Sequence, residues 1–131
     1  MRLLLDTHAL IWALADPPAL GESTRDAILD PSNDVLVSIV SLWEIALKRR
    51  IGKLKGKDAE QIAAASRAAG FAFLSIESRH LSRLEAMPVD PHHRDPYDHL
   101  LAAQVLADDL SFVTNDRRMN FYGVNTVTCS G

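Results

Sequence analysis

Residues 2–16 read RLLLDTHALIWALAD, a short apolar run followed by an aspartate and a longer, mostly apolar stretch. The run RLLLD predicts a buried strand, because short apolar runs bounded by polar residues are typical of strands covered on both faces. The segment THALIWALAD predicts a helix that ends at Pro17 and Pro18, since proline lacks the N–H that a continuing helix needs. A strand that leads directly into a helix is the first half of the crossover connection that parallel strands require.

The same alternation continues along the rest of the chain. Further strands are predicted in DVLVS, FAFLSI, LSFVT and NTVTC. Helices are predicted in GESTRDAILD, SIVSLWEIALKRRIG, DAEQIAAASRAAG, SRHLSRLEAM and from Pro96 to about Asp108, with a short helix in NDRRMNFYG. Strands separated by helices favour a parallel sheet with helices on both faces. The sequence therefore predicts an α/β fold, a three-layer α/β/α sandwich around a central parallel β-sheet.

Length and composition indicate one globular domain over residues 1–131, because 131 residues with 47% hydrophobic content suffice for a real core. Cys129 is the only cysteine, which excludes an internal disulfide framework and suits a cytoplasmic location. No segment approaches the roughly 20 uninterrupted apolar residues of a membrane span, so no membrane partner is expected. The formal net charge of −3 means that a polyanionic substrate would need local basic groups or metal ions.

Four acidic residues are predicted to converge on one edge of the sheet. Asp6 ends the first strand and Asp116 follows the strand LSFVT. The carboxyl ends of parallel strands share one edge, and open parallel sheets bind their ligands there. Asp98, in the first turn of the helix that begins at Pro96, can face the same edge, and Glu44 lies in the helix that leaves the second strand.

Three of these acids also have an ordinary structural explanation. Asp6 and Asp116 each precede a helix, and an aspartate there caps the helix by accepting backbone N–H groups. Asp98 suits the positive end of its own helix dipole. Each explanation is adequate for one residue, but none accounts for the convergence of all four acids.

Glu44 is the least expected of the four. It lies beside an apolar stripe that Val40, Trp43 and Leu47 form at helical spacing. The structural explanation is an exposed ion pair with Lys48 one turn later, worth a few tenths of a kcal/mol. The functional explanation is that Glu44 joins the other acids at the sheet edge.

Converging carboxylates imply a bound cation. Two carboxylates about 4 Å apart repel by roughly 4 kcal/mol at an effective dielectric near 20. Several of them must therefore take up protons or hold cations, and Mg²⁺ binds through a few carboxylates while keeping several waters. Such an ion can activate water, and two can stabilise both oxygens of a phosphodiester displacement. In RDPYDHLLAAQ, residues 94–104, Asp95 is expected to cap the helix and Asp98 to be the ligand, with Asp95 as the alternative ligand because both lie in one turn.

Four segments resemble a known family in the same order along nearly the whole chain. LLLDTHALIWAL, VSIVSLWEIALKRRIGKL, RDPYDHLLAAQ and FVTNDRRM are similar to PIN-domain ribonucleases, above all to the VapC-like toxins of type II toxin–antitoxin systems. The resemblance implies Mg²⁺ or Mn²⁺ dependence, endonucleolytic cleavage of RNA, homodimerisation and inhibition by a cognate antitoxin. It makes the catalytic and metal-binding residues Asp6, Glu44, Asp98 and Asp116. The supporting residues are Thr7, Asp95, Thr114 and Asn115.

Other features leave two explanations open. Lys48, Arg49, Arg50 and Lys53, in KRRIGKLKGK, are candidate RNA-binding residues, or a solvated helix end whose cations suit the helix dipole. Trp12, Leu14 and Leu20 are core residues or part of the groove that an antitoxin helix occupies.

The five histidines carry little signal. The adjacent His92 and His93 are weak evidence for a transition-metal site, because no further Cys or His lies at ligand spacing. A zinc site is therefore not expected. His99 stands where many PIN-domain relatives have arginine, and His8 and His80 carry no distinct signal.

Two other classes that place acids at strand ends are disfavoured. A phosphoacceptor signalling module would carry a lysine after a late strand, where SFVTND has none. A phosphatase that forms an aspartyl-phosphate would carry a second aspartate where this chain has His8. The alternative that stays open is a non-catalytic PIN-like module that binds RNA or a partner protein, since holding a metal and cutting RNA are separable properties.

Overall fold

Strands and helices alternate in the computed structural model, which describes residues 1–15 and 20–129. The strands are β1 (Arg2–Leu5), β2 (Asp34–Ser38), β3 (Ala72–Leu74), β4 (Ser111–Val113) and β5 (Asn125–Val127). The helices are α1 (Thr7–Ala15), α2 (Glu22–Leu29), α3 (Ile39–Arg50), α4 (Ala59–Ala68), α5 (Ser78–Ala86) and α6 (Pro96–Asp108), with a 3₁₀ helix at Arg117–Tyr122. None of these helices is long and apolar enough to cross a membrane. The predicted stop at Pro17 and Pro18 lies outside the described residues.

All neighbouring strands run parallel, in the order β3-β2-β1-β4-β5. The central strand β1 pairs on both sides, with Leu4 opposite Leu36 of β2 and Phe112 of β4. The chain builds outward from β1 first toward β3 and then, after α5 and α6, toward β5. This reversal lies between β1 and β4, and it opens a crevice at their carboxyl ends, where such sheets bind ligands.

Alternate residues of β1 face two separate cores. Leu3 and Leu5 pack with residues of α1, α2 and α4 on one face of the sheet. Leu4 packs with residues of α6 and the 3₁₀ helix on the other. The predicted three-layer α/β/α sandwich with a central parallel sheet is thereby confirmed.

The buried face of α3 differs from the predicted stripe. Val40 is fully buried as expected, but the other buried residues of α3 are Ser41, Glu44 and Ile45. Trp43 is 44% exposed, and its ring packs edge-on against Tyr97 of α6. The reason is that α3 contributes to both cores, Val40 to one and Ile45 to the other. The buried face of α3 therefore lies at the boundary between the two cores, and Glu44 lies on that face.

Candidate metal centre

An acidic cavity of about 380 Å³ opens at the carboxyl edge of the sheet. The residues that line it are Asp6, Thr7, His8, Trp12, Glu44, Lys48, Asp95, Asp98, Asn115, Asp116, Arg118 and Cys129. Five of them are carboxylates and two, Lys48 and Arg118, are cations, which leaves a formal charge of −3 with His8 neutral. The structure thus brings together the four acids that the sequence placed at this edge.

Asp6 both caps a helix and lines the cavity. Its backbone N–H donates to Val113 O at 3.0 Å, which fixes the end of β1 against β4. Its Oδ1 accepts the N–H of Ala9 at 2.7 Å and so caps α1. Burial raises the pKa of Asp6 above its ordinary value, although hydrogen bonds from Thr114 and the Ala9 backbone oppose the shift. The carboxylate is therefore held in an environment that favours an added positive charge.

Glu44 is held from two sides. The hydroxyl of Thr7 donates to Glu44 Oε1 at 2.6 Å, and Lys48 Nζ pairs with Oε2. The predicted i, i+4 pair with Lys48 is present, but it is not an exposed pair, because only 7% of the Glu44 side chain is accessible. Burial lowers the pKa of Lys48, but the hydrogen bond and charge of Glu44, together with nearby acids, outweigh it, and the pKa is raised overall.

The two aspartates in the first turn of α6 have different contacts. Asp95 Oδ1 accepts the N–H groups of Tyr97, at 2.9 Å, and Asp98, at 3.4 Å, so Asp95 is the cap. The side chain of Asp98 takes no part in the cap, and its Oδ2 lies 3.1 Å from His93 Nε2. Burial raises the pKa of Asp98, and the charges of Asp95 and Glu44 add to the increase against the hydrogen bond with His93.

Asp116 begins the 3₁₀ helix beside the cavity. Its Oδ1 accepts the N–H of Arg118 at 3.0 Å, and the guanidinium of Arg118 binds both carboxylate oxygens, at 2.9 and 3.0 Å. Burial acts to raise the pKa of Asp116, but the hydrogen bonds and charge of Arg118 prevail, and the pKa is lowered. Thr114 Oγ1 accepts the N–H of Asp116, and Asn115 Oδ1 accepts that of Cys129. The TND segment thus braces the cavity wall.

His93 is a residue of this site that sequence reasoning missed. Its side chain has no exposed surface, and its Nε2 lies 3.1 Å from Asp98 Oδ2 and 3.8 Å from Asp116 Oδ2. Nδ1 lies 3.3 Å from the hydroxyl oxygen of Tyr122. The neighbouring His92 is exposed and does not share the site. No local sequence signal marks His93, because its burial depends on packing against Tyr122, 29 residues further along the chain.

The donor set fits a divalent cation. His93 Nε2 and carboxylate oxygens of Asp98 and Asp116 all lie within 4.8 Å of one another. Bonds of about 2.1 Å place neighbouring ligands of an octahedral ion about 3 Å apart and opposite ligands about 4.2 Å apart, so side-chain shifts of up to about 1 Å would bring the three atoms to ligand distances. Asp6 and Glu44 supply further carboxylates at the same cavity. Buried acids and a negative formal charge favour a cation there.

The four candidate RNA-binding cations are not gathered at one place. Lys48 lines the cavity. Arg49 donates to the carbonyl oxygen of Gly56 and so ties the end of α3 to the following loop. Arg50 and Lys53 are exposed and lie outside the cavity lining. Arg118 is a cavity cation that the sequence did not single out.

The protein is an α/β protein with a parallel sheet and an acidic centre, suited to a cation, at the carboxyl edge of that sheet. Within that class, the family model of the PIN domain matches residues 3–125. The chain therefore belongs to the PIN domain family, and the resemblance found in the sequence is confirmed.

Three solved structures are similar to this chain. VapBC2 from Rickettsia felis, bound to a DNA fragment from its promoter, has a TM-score of 0.72 at 15% identity over 98% of each chain. DNA-bound VapBC from Salmonella typhimurium has a TM-score of 0.65 at 19% identity over 98% of each chain. VapBC-1 from nontypeable Haemophilus influenzae has a TM-score of 0.65 at 15% identity over 100% of each chain. At these identities the likeness shows a shared fold. No match was found among curated proteins.

Proposed function

We propose that this protein is a metal-dependent endoribonuclease and the toxin of a type II toxin–antitoxin pair. PIN domains are generally nucleases. The observation that carries the proposal is the convergence of Asp6, Glu44, Asp98 and Asp116, from four separate segments of the chain, on one cavity. Capping explains a part of these contacts, but it does not explain why buried acids of like charge share one cavity.

In this proposal the four acids are the catalytic and metal-binding residues, with Mg²⁺ as the expected ion and Mn²⁺ as the alternative. A divalent cation polarises phosphate oxygens and makes the attacking water more acidic. Thr7 and Thr114 hold the carboxylates of Glu44 and Asp6 by hydrogen bonds, so these acids are positioned before substrate binds. One acid of the set accepts a proton from the water that attacks phosphorus, and the leaving oxygen takes up a proton.

The cations at the cavity fit a phosphate backbone as substrate. Lys48 and Arg118 lie at the cavity and are paired with Glu44 and Asp116. Each can shift its contact toward a phosphate, because side chains that are 39% and 52% exposed have room to move. Arg49, Arg50 and Lys53 extend the positive charge along the end of α3, and this charge would make RNA binding weaken with salt.

The toxin role and its partner are inferred from the solved VapBC structures. A cognate antitoxin would cover an apolar cavity of about 240 Å³ beside α1, α3 and α4, where Ile11, Leu14 and Ile62 are lining residues. Trp12 packs against the core that contains Leu3 and Leu5, and Leu20 is buried in that core. A homodimer and a cytoplasmic location complete the proposal.

Cleavage of total cellular RNA by purified, antitoxin-free protein tests the activity. Wild type, Asp98→Asn and Asp95→Asn are compared in Mg²⁺, Mn²⁺ and EDTA. We expect discrete fragments from wild type in either metal and none in EDTA, with a loss of at least about 100-fold in Asp98→Asn. Asp95→Asn is the matched control, since asparagine caps a helix about as well as aspartate, and it should retain most of the cleavage.

Two outcomes would contradict the proposal. Equal cleavage by wild type and Asp98→Asn would show a contaminating nuclease or a wrong assignment of the ligand. Folded wild-type protein that binds metal and RNA but cuts nothing would favour the non-catalytic binding module instead.

A further inference from the structure

His93 lies behind the lining of the acidic cavity and approaches two of its carboxylates with one ring nitrogen. Its ring is fully buried, yet Nε2 faces the carboxylates of Asp98 and Asp116, at 3.1 and 3.8 Å. These two acids come from α6 and from the start of the 3₁₀ helix, whereas His93 lies in the loop before α6. Three donor atoms from three segments therefore lie within 4.8 Å of one another, and one of them is a nitrogen.

The orientation of the His93 ring is also fixed by contacts on the side away from the two carboxylates. Nδ1 lies 3.3 Å from the Tyr122 hydroxyl oxygen, and the rings of His99 and Tyr122 contact the His93 ring. His99 Nε2 lies 2.5 Å from the carbonyl oxygen of His93, which fixes the loop backbone. Histidines that bind metals generally donate their second ring N–H to such a partner. With the ring proton on Nε2, it is donated to Asp98; with the proton on Nδ1 instead and donated to Tyr122, the lone pair of Nε2 would be free to bind a cation beside the two carboxylates.

We propose that His93 Nε2 is a direct ligand of the cation and that it makes the centre select a first-row transition-metal ion over Mg²⁺. The inference rests on the metal centre of the proposed function. Mg²⁺ is a hard ion that takes oxygen ligands, whereas imidazole suits the transition metals. A centre of carboxylates alone would discriminate less between Mg²⁺ and Mn²⁺ than one with an imidazole nitrogen.

The competing explanation is that His93 only orients Asp98 by donating a hydrogen bond from Nε2. The two explanations differ in where the nitrogen lies relative to the ion. A ligand nitrogen is bonded to the metal, whereas an orienting nitrogen is separated from it by the carboxylate. They also differ in selectivity, because an orienting residue supports every ion that Asp98 binds.

The test uses purified protein without RNA, so that it does not depend on cleavage. Calorimetric titrations with MnCl₂ and MgCl₂ give the ratio of the two affinities for wild type, His93→Gln and His92→Gln. We expect Mn²⁺ to bind wild type at least about tenfold more tightly than Mg²⁺, and His93→Gln to lose most of that preference. His92→Gln removes the same side chain one residue away at an exposed position and should keep the wild-type ratio.

Pulsed electron paramagnetic resonance of the Mn²⁺ complex gives a second readout on wild type itself. We expect a ¹⁴N coupling of directly bound imidazole in wild type and in His92→Gln. Its absence from wild type, or a His93→Gln variant that weakens both metals by the same factor, would overturn the inference and leave only the orienting role. Absence of metal binding by wild type would overturn it as well.

The two proposals fail in distinguishable ways. Mg²⁺-dependent cleavage without a ¹⁴N coupling would support the nuclease activity and contradict the proposal that His93 is a metal ligand. A ¹⁴N coupling without any cleavage would support His93 as a metal ligand and contradict the nuclease activity.

Discussion

Asp6 and Asp98 are partly buried acids that share a cavity with Glu44, and their side chains have few compensating cations. Burial raises the pKa of both carboxyl groups, which means that ionising them costs free energy in the metal-free folded protein. Lys48 and Arg118 are paired with Glu44 and Asp116. A cation bound at the proposed metal centre would balance the charge of Asp6 and Asp98.

Asn substitution at these two positions should stabilise the metal-free protein. We expect Asp6→Asn and Asp98→Asn to increase the free energy of unfolding in EDTA at pH 7 by on the order of 1 kcal/mol, because each removes a buried negative charge. A raised folded-state pKa means that wild type binds protons before the unfolded chain does as the pH falls. The gain should therefore shrink below the raised pKa values. Urea unfolding in EDTA at several pH values measures it.

Asp95→Asn is the matched control for these two variants. Asp95→Asn keeps the helix cap and removes a charge from the same turn of α6, so its effect should be smaller than that of Asp98→Asn. A loss of more than about 1 kcal/mol in both Asp6→Asn and Asp98→Asn would contradict this prediction and show that the charged carboxylates stabilise the fold through their own hydrogen bonds, with the Ala9 N–H and with His93.

The sequence was sufficient to find the acids but not the histidine. Asp6 and Asp116 follow strands, and the rule that parallel strands end at one edge is sufficient to predict that both lie there. His93 lies in a loop with no periodicity, and its burial depends on Tyr122 and His99. No local pattern encodes that packing, because Tyr122 lies 29 residues further along the chain.

At the scale of elements, α5 and α6 are joined by a charged network remote from the cavity. Asp108, the last residue of α6, accepts hydrogen bonds from Arg79 at 2.8 and 3.1 Å and lies 3.0 Å from His80 Nε2. The hydrogen bonds of Arg79, supported by His80, lower the pKa of Asp108 to about 2. Since α6 carries Asp98 at its other end, this network helps to orient the helix that presents the proposed metal ligand.

Asp108→Asn should weaken this connection in a pH-dependent way. The pKa of Asp108 is lower in the folded protein than its ordinary 3.8, so its stabilising contribution is present above about pH 4 and is lost as the pH falls toward about 2. We expect the variant to lose about 1 kcal/mol at pH 7, because Arg79 is half exposed and its charge is screened. The loss should be smaller near pH 2. Thermal unfolding across this range measures it.

Asp109→Asn is the control for that experiment. It removes the same charge one residue later, at an exposed position with φ of 52°, where asparagine is tolerated better than most residues. It should leave stability unchanged or slightly raised. Equal losses in the two variants would indicate a general charge effect in place of the contacts with Arg79 and His80.

The elements themselves were largely predictable. Each strand and helix expected from apolar runs and helix stop signals is present, and the differences lie in length, as in the shorter β3. The orientation of α3 was not predictable in the same way. Apolarity placed Trp43 inward, but packing between two cores turned Glu44 inward. Periodicity identifies a helix, whereas tertiary contacts decide which of its faces is buried.

At the scale of the whole molecule, the proposed toxin activity predicts a growth phenotype. Ectopic expression of wild type should arrest bacterial growth, and co-expression of the cognate antitoxin should relieve the arrest. Asp98→Asn at the same expression level should have no effect, because it lacks the cleavage activity that we propose. Optical density and immunoblots of soluble protein measure this. Unimpaired growth with abundant soluble wild-type protein would contradict the toxin role.

The central position of β1 has a consequence for protein synthesis. β1 is made first, but its partner β4 begins only at Ser111, about 5–20 s later at common elongation rates. Until then one edge of β1 stays unpaired on the ribosome, and Asp98 and Asp116 arrive with the same late part of the chain. A nascent chain therefore cannot assemble the four acids before residue 116 has been added. The proposed cleavage activity therefore cannot arise in a shorter nascent chain. A ribosome that is still translating the first 115 residues does not carry an active nuclease.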